Sequence, residues 1–225
     1  MSLEAVIFDM DGVLVDSEIY WLKARQAFAA ARGKQWTDAD QRHAMGRNTI
    51  EWAHIMQQRL GLNDTLDAIM AEMKQRVIEQ YNEHLPLRAG ALDAVYEAAA
   101  LYPVALASGS PTAIIQHVMA LTGLDRVFRA VLYGDDFANG KPAPDIYYAA
   151  CDALGADPAR CAGVEDSANG IRAVVNAGML CVGAPSPAFP LSPEVAALCS
   201  AQVASMTELT PAFWFELEVN HADRL

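Results

Sequence analysis

Asp9 and Asp11 follow directly on the apolar run Val6-Ile7-Phe8, with Gly12 behind them. A buried carboxylate is unfavourable by about 2–7 kcal/mol or more unless it is paired or binds a cation. Two of them, two residues apart, add mutual repulsion unless a metal ion lies between them or one holds a proton. Gly12 lets the backbone turn tightly away from the pair. The chemistry open to such a pair is attack by one carboxylate and proton transfer by the other, against a divalent cation.

Further along, polar residues again follow short apolar runs. Ser108-Gly109-Ser110-Pro111 follows residues 104–107. A hydroxyl with free backbone N–H groups at a strand-to-helix turn suits a phosphate oxygen, and the same serines equally suit a helix cap. Gly134-Asp135-Asp136 and then Gly140-Lys141-Pro142-Ala143-Pro144-Asp145 follow residues 130–133. A lysine before a proline-stiffened turn is held where it can neutralise a phosphate and a nucleophile together; taken singly, a lysine is more often solvated surface. Glu165-Asp166-Ser167 follows residues 161–164. Oxygen-rich ligands without Cys or His favour Mg²⁺ over zinc, and acids also suit the positive end of a helix dipole. The order Asp-x-Asp, Ser, Lys, Glu-Asp, each at the end of a strand-like run, is the strong signal.

These residues need a scaffold that gathers strand ends. The first strand covers 4–8, too short for a helix and cut off by the Asp/Gly cluster. Asp16-Ser17 is a helix N-cap signal. From Ser17 to about His84 the chain reads as helical and charged. Apolar residues recur at helical spacing through Tyr20, Ala24 and Phe28, and again through Leu66, Ile69, Met73 and Val77. Gly33, Asp38 and Gly61-Leu62-Asn63-Asp64 punctuate about four helices. Leu85-Pro86-Leu87-Arg88-Ala89-Gly90 is the return linker. Beyond it, strands at 104–107, 130–133, 161–164 and 180–183, with a weaker one near 202–204, alternate with helices at 91–101, 112–122, 145–155 and 169–177. Residues 211–217 read as a last amphipathic helix. This alternation predicts a parallel sheet with helices on both faces and ligands beyond the carboxyl ends of its strands.

Composition narrows the classes. The chain has 225 residues, which fits one larger domain or a core domain with a smaller insert. An apolar content of 53% supports a full core rather than disorder. A net charge of −12 disfavours nucleic acid and an anionic membrane as partners. It leaves a small anionic substrate open, because a metal ion and one lysine invert the local field. Cys151, Cys161, Cys181 and Cys199 form no CxxC pair and no Cys/His cluster, and read as small buried residues in a reducing cytosol. No signal peptide is visible, and no apolar run approaches the roughly 20 residues that span a bilayer, so a cytoplasmic protein is expected.

Together these residues resemble the haloacid dehalogenase superfamily, in its phosphatase-like branch, over nearly the whole chain. Asp9-Met10-Asp11-Gly12-Val13-Leu14-Val15-Asp16-Ser17 resembles the first motif, Ser108 the second, Lys141 the third and Glu165-Asp166 the fourth. Within the superfamily, Leu106-Ala107-Ser108-Gly109-Ser110-Pro111, Gly140-Lys141-Pro142-Ala143-Pro144-Asp145 and Gly163-Val164-Glu165-Asp166-Ser167 are similar to the β-phosphoglucomutase-like group of sugar-phosphate enzymes. The resemblance implies an α/β fold: a Rossmann-like parallel-sheet core of residues 1–16 and 86–225, with a small α-helical cap domain inserted at 17–85. It also implies roles. Asp9 forms an aspartyl-phosphate, and Asp11 protonates the leaving oxygen and then activates water. Mg²⁺ binds the Asp9 and Asp166 side chains and the Asp11 backbone carbonyl, with Glu165 supporting it through water. Ser108, the Gly109 N–H and Lys141 hold the phosphoryl group, and cap closure excludes bulk water.

The expected activity is that of a Mg²⁺-dependent phosphatase acting on a small phosphorylated metabolite, above all a sugar phosphate. The alternatives are a phosphomutase of the β-phosphoglucomutase type and a catalytically silent binding protein on the same fold. In the resembling mutases a histidine stands five residues after the acid that ends the first motif; here that residue is Trp21. The cap loop Met45-Gly46-Arg47-Asn48-Thr49 partly matches the mutase specificity loop, which makes Arg47 and Asn48 substrate-binding candidates. Arg47 equally suits a solvated helix end. Trp21, Trp52 and Lys74 are further cap candidates, with packing the stronger reading for Trp52. Asp11 argues against a dehalogenase, which needs only the first aspartate, and against a phosphonate hydrolase, which usually has a small residue there. No nucleic-acid or membrane partner is expected, and the chain is expected to be monomeric.

Overall fold

Short, wholly apolar runs form strands here because the sheet is covered on both faces. The computed structural model describes residues 2–44, 47–187 and 189–222. In chain order the elements are β1 (Ala5–Phe8), α1 (Glu18–Ala30), α2 (Asp38–Ala44), α3 (Thr49–Leu60), α4 (Leu66–Glu83), α5 (Ala91–Leu101), β2 (Val104–Ser108), α6 (Thr112–Thr122), β3 (Ala130–Tyr133), α7 (Asp145–Leu154), β4 (Cys161–Glu165), α8 (Ala168–Asn176), β5 (Leu180–Gly183), α9 (Pro193–Ala196), β6 (Ala201–Gln202) and α10 (Pro211–Ala222). The strands pair in parallel in the order β3-β2-β1-β4-β5-β6.

The chain runs outward from β1 to β3 on one side, then returns to β4 on the other. That reversal opens a crevice at the carboxyl ends of β1, β2 and β4, where doubly wound sheets take their ligands. Phe8 lies opposite both Leu106 and Val164, so Asp9 emerges between Ala107 and Glu165. Alternate residues serve opposite faces of the sheet. Val6 and Phe8 join Leu106, Val164 and Val182 in one apolar cluster, while Ala5 and Ile7 join Ala105, Tyr147 and Cys181 in the other.

The helices α1 to α4 form the cap. Phe28, Met56, Met73 and Val77 are fully buried between them. α3 starts with a capping box: Asn48 accepts from the Glu51 N–H at 2.9 Å, and Glu51 accepts from the Asn48 N–H at 3.1 Å. The two crossings between cap and core lie side by side. The Asp16 N–H donates to the Pro86 carbonyl at 2.8 Å and the Arg88 N–H to the Leu14 carbonyl at 2.9 Å. The Arg88 guanidinium then donates to the carbonyls of Gly12 and Ala184.

Some boundaries differ from the sequence reading. β2 and β4 each run one residue further, because Ser108 pairs with Tyr133 and Glu165 with Gly183. The weak last strand is Ala201–Gln202, a short edge pairing with Val182 and Gly183. Ser17 precedes α1 but does not cap it. Its backbone is already helical, at φ −79° and ψ −25°, which keeps the hydroxyl from the first N–H groups of the helix. Met45 and Gly46 of the expected specificity loop lie outside the described residues. The cysteines are free thiols, buried at 151, 161 and 181 and half-buried at 199. Among the described residues no helix is long and apolar enough to cross a membrane.

Candidate active site

One residue past β1, Asp9 is only 5% exposed. Its N–H donates to the Val164 carbonyl at 3.0 Å, which fixes it at the mouth of the sheet. Lys141 reaches in beneath it. Its Nζ donates to Asp9 Oδ1 at 2.6 Å, to Glu165 Oε1 at 2.6 Å and to the Ala107 carbonyl at 3.0 Å. An ammonium has three N–H groups, and all three are used. The Tyr147 hydroxyl donates to the same Glu165 oxygen at 2.7 Å. Glycine at 170 lets α8 approach this carboxylate: a Cβ there would stand 1.9 Å from it.

Asp9, Glu165 and Asp166 offer carboxylate oxygens within 4.8 Å of one another. The Asp166 carboxylate lies over Gly12, whose φ is +76° and where a Cβ would stand 1.8 Å from Asp166 Oδ2. Burial, against the pull of Lys141, pushes the Asp9 carboxyl up to about 8, and Glu165 and Asp11 add to the rise. Burial and then Glu165 and Asp9 raise Asp166 well above the usual carboxylate range. Burial would lower the Lys141 ammonium, but Asp9 and Glu165 outweigh it and raise it. Carboxylates that raise one another in this way can hold a divalent cation, whose charge relieves the repulsion. The donors are oxygens alone, which fits a hard ion.

Asp11 is held differently. Its Oδ2 accepts from the Ser110 hydroxyl at 2.6 Å and from the Ser108 hydroxyl at 3.3 Å. Its Oδ1 is buried with no partner among the described residues. Neither serine caps α6, which has Pro111 at its N-cap position and no side-chain cap bond. Asp135 takes the Thr112 N–H instead, at 2.9 Å. Ser108 is fully buried, whereas Gly109 and Ser110 line the open cleft.

The cleft, about 700 Å³, lies between the cap and the strand ends. Asp9, Asp11, Lys141 and Asp166 line its floor. Trp21 and Trp52 line its roof, with ring centroids 5.6 Å apart and exposures of 5% and 3%, so each both packs and faces the cleft. Arg47 and Asn48 reach it as well. Arg47 is half-exposed with Glu51 at 4.0 Å, and Asn48 presses on Gly140, where a Cβ would stand 3.2 Å from it. Lys74, on α4, is not in the lining.

The sequence reading missed Tyr147 and three cap residues, Glu18, Arg25 and Gln41. Gln41 Nε2 donates to Glu18 Oε2 at 2.9 Å, and Arg25 Nη1 donates to Gln41 Oε1 at 2.9 Å. Burial, opposed by Arg25 and Gln41, raises the Glu18 carboxyl, while burial pulls the Arg25 guanidinium down to about 10 against Glu18. A signal was present. Glu18 opens the first cap helix just after the Asp9 motif, and Arg25 follows it by two helical turns on the same face.

The family model for haloacid dehalogenase-like hydrolases matches residues 3–178. The chain is 30% identical over 178 residues to the phosphorylated carbohydrates phosphatase of Thermotoga maritima, covering 79% of this chain and 82% of that one. It is 31% identical over 216 residues to hexitol phosphatase B of Escherichia coli, covering 92% of this chain and 94% of that one. Among solved structures, CbbY from Rhodobacter sphaeroides, in complex with phosphate, is similar at a TM-score of 0.81 and 26% identity, over 92% of this chain and 96% of that one. The matched span runs from the strand that carries Asp9 to the helix behind Asp166, so it takes in every floor residue of the cleft. The chain belongs to the haloacid dehalogenase-like hydrolases and carries an Asp-centred cluster for phosphoryl transfer.

Proposed function

We propose that the protein is a Mg²⁺-dependent phosphatase that hydrolyses a small phosphorylated metabolite, with sugar phosphates as the substrate class. The observation that carries this reading is the unequal setting of two neighbouring carboxylates. Lys141 holds Asp9 at 2.6 Å, whereas the Ser110 hydroxyl holds Asp11 at 2.6 Å. Asp9 is the nucleophile. Its oxygen bonds to phosphorus, the ester P–O bond breaks with its electron pair on the ester oxygen, and Asp11 gives that oxygen a proton. A water then attacks phosphorus, its proton goes to Asp11, and the bond to Asp9 breaks to release inorganic phosphate.

Ser108, the Gly109 N–H and Lys141 would hold the phosphoryl oxygens, Ser108 and Lys141 by exchanging a present carboxylate partner for the substrate. Asp9, Asp166 and the Asp11 backbone carbonyl would hold Mg²⁺, with Glu165 acting through water. When bound, the ion neutralises carboxylate and phosphoryl charge. Arg47 and Asn48 meet the rest of the substrate from the cap, and closure of the cap over the cleft would keep bulk water out.

Water as the acceptor is supported by Trp21. It stands where the resembling mutases have a histidine, and an indole N–H cannot take a proton from a sugar hydroxyl. The names of the carbohydrate and hexitol phosphatases among the relatives support the substrate class. The test is a phosphate-release screen over sugar phosphates, nucleotides and other small phosphoesters, with Mg²⁺ and with a chelator. Release should need Mg²⁺ and vanish in Asp9→Asn. Unchanged turnover in that variant would sink the mechanism, and isomer interconversion without net release would replace it with a mutase.

A further inference from the structure

The roof of the cleft holds a cation that the chemistry on the floor does not use. Arg25 projects from α1 into the cleft lining and is 4% exposed. Its guanidinium carbon lies 5.0 Å from the Trp21 ring centroid and 5.9 Å from that of Trp52. A guanidinium beside the ring faces of two indoles makes its hydrogen bonds through the N–H groups in its own plane. Of its three nitrogens, Nη1 alone has a partner among the described residues, the Gln41 Oε1 at 2.9 Å. Nε is buried with no partner there.

Gln41 cannot turn to give more. Its Oε1 also accepts from Trp36 Nε1 at 3.1 Å, and its amide nitrogen is committed to Glu18. Among the described residues no carboxylate lies within 4.0 Å of Arg25 to form an ion pair. A desolvated guanidinium with idle donors is unfavourable until an acceptor enters. The transferring phosphoryl group would sit on Asp9 at the strand ends, whereas Arg25 lines the cleft from the cap side. Arg42 and Arg47 line the same cleft, in a chain whose net charge is −12. Cations are thus concentrated where the far end of a bound substrate would sit.

We infer that Arg25 is a specificity-determining residue that binds a second anionic group of the substrate, a carboxylate or a phosphate at the end remote from the phosphoryl group transferred. The inference rests on the reading of the cleft as a phosphatase site. An oxygen of either group matches the idle in-plane donors of the guanidinium, and one such charge-assisted bond discriminates strongly against a substrate without it.

The test uses substrate pairs that differ in the remote group. Glycerol 3-phosphate is compared with 3-phosphoglycerate for a carboxylate, and fructose 1-phosphate with fructose 1,6-bisphosphate for a phosphate. In at least one pair, kcat/KM for the anionic-tailed member should be higher by about tenfold or more. Arg25→Met keeps an apolar stem beside the indoles and should bring that ratio to about one. Arg25→Lys keeps the charge but not the fork, and should leave an intermediate ratio. It also serves if the methionine variant fails to fold. A wild-type preference for the neutral-tailed members, or a ratio that Arg25→Met and Arg25→Lys leave unchanged, overturns the inference and leaves the phosphatase reading standing. The same ligands are titrated calorimetrically into Asp9→Asn protein with and without Arg25→Met. Selective binding of the anionic-tailed ligand that needs Arg25, with no phosphate release from any ester by the wild type, keeps Arg25 as the residue that selects anionic ligands and removes the phosphatase reading.

Discussion

The Thr49 hydroxyl, at the start of α3, donates to Asp135 Oδ1 at 2.7 Å, and the other oxygen of Asp135 takes the Thr112 N–H at 2.9 Å. A single carboxylate thus joins the cap to the helix that follows the Ser108–Ser110 turn. Thr49→Val keeps the shape and removes the donor. With a net contribution of about 1 kcal/mol, KM should rise about fivefold. Steady-state kinetics check this, and an unchanged KM would show that docking of the cap does not rest on the bond.

Ser110 orients Asp11 more closely than Ser108 does, at 2.6 Å against 3.3 Å. A hydrogen bond to a carboxylate contributes about 1.5–3 kcal/mol, so Ser110→Ala should lower kcat roughly tenfold to a hundredfold. The measurement is kcat at saturating substrate. A fall in affinity alone, with kcat intact, would make Ser110 a substrate contact rather than a positioning residue.

Gly12→Ala attacks the metal site without changing a carboxylate. Its methyl would stand 1.8 Å from Asp166 Oδ2, at a φ of +76°. The backbone strain is about 1 kcal/mol, and Asp166 must swing away. The Mg²⁺ concentration for half-maximal phosphate release should rise about tenfold or more. An unaltered Mg²⁺ dependence would remove Asp166 from the ion.

The cap should lose stability in acid through Arg32. This residue donates to Asp64 at 2.8 Å and to Glu72 at 2.9 Å. Its hydrogen bonds hold both carboxyls below their ordinary values, 4.5 for Glu72. A carboxyl lowered by folding binds fewer protons folded than unfolded. Its stabilisation is therefore complete above its ordinary value and is lost as pH falls through the lowered one. The Tm difference between wild type and Arg32→Met should shrink as pH is lowered from about 6 to about 3. It should be modest throughout, since these side chains are partly exposed. A difference independent of pH would assign Arg32 to packing on Phe28, whose ring lies 3.7 Å from it.

The floor of the site was legible in the sequence because Asp9, Asp11 and Asp166 follow apolar runs closely and Lys141 precedes a proline-stiffened turn. In a parallel sheet buried on both faces, strand ends mark themselves, and the reversal of strand order beside β1 brings those ends together. The roof was not legible in the same way. On a cap helix, Arg25 shares a face with Glu18 but has the spacing of any arginine on an amphipathic surface, and the packing of α1 and α3 shows that it points inward beside two indoles. Lys74 had the same sequence character and does not reach the cleft. Ser110 was ambiguous because a hydroxyl two residues after a strand suits a cap, a phosphate or a carboxylate alike, and only the position of Asp11 decides.

The pairing of the two crossings has a mechanical consequence. Two separate tethers would let the cap swivel and shear. Tied at Asp16–Pro86 and Leu14–Arg88, and pinned to the Gly12 and Ala184 carbonyls by the Arg88 guanidinium, they form one ribbon, which a cap motion would bend about a single axis. A lid on a single axis has one degree of freedom. A closing stroke about that axis would return Trp21, Arg25 and Thr49 along the same arc to the same partners, and would conserve the alignment of roof with floor from one turnover to the next.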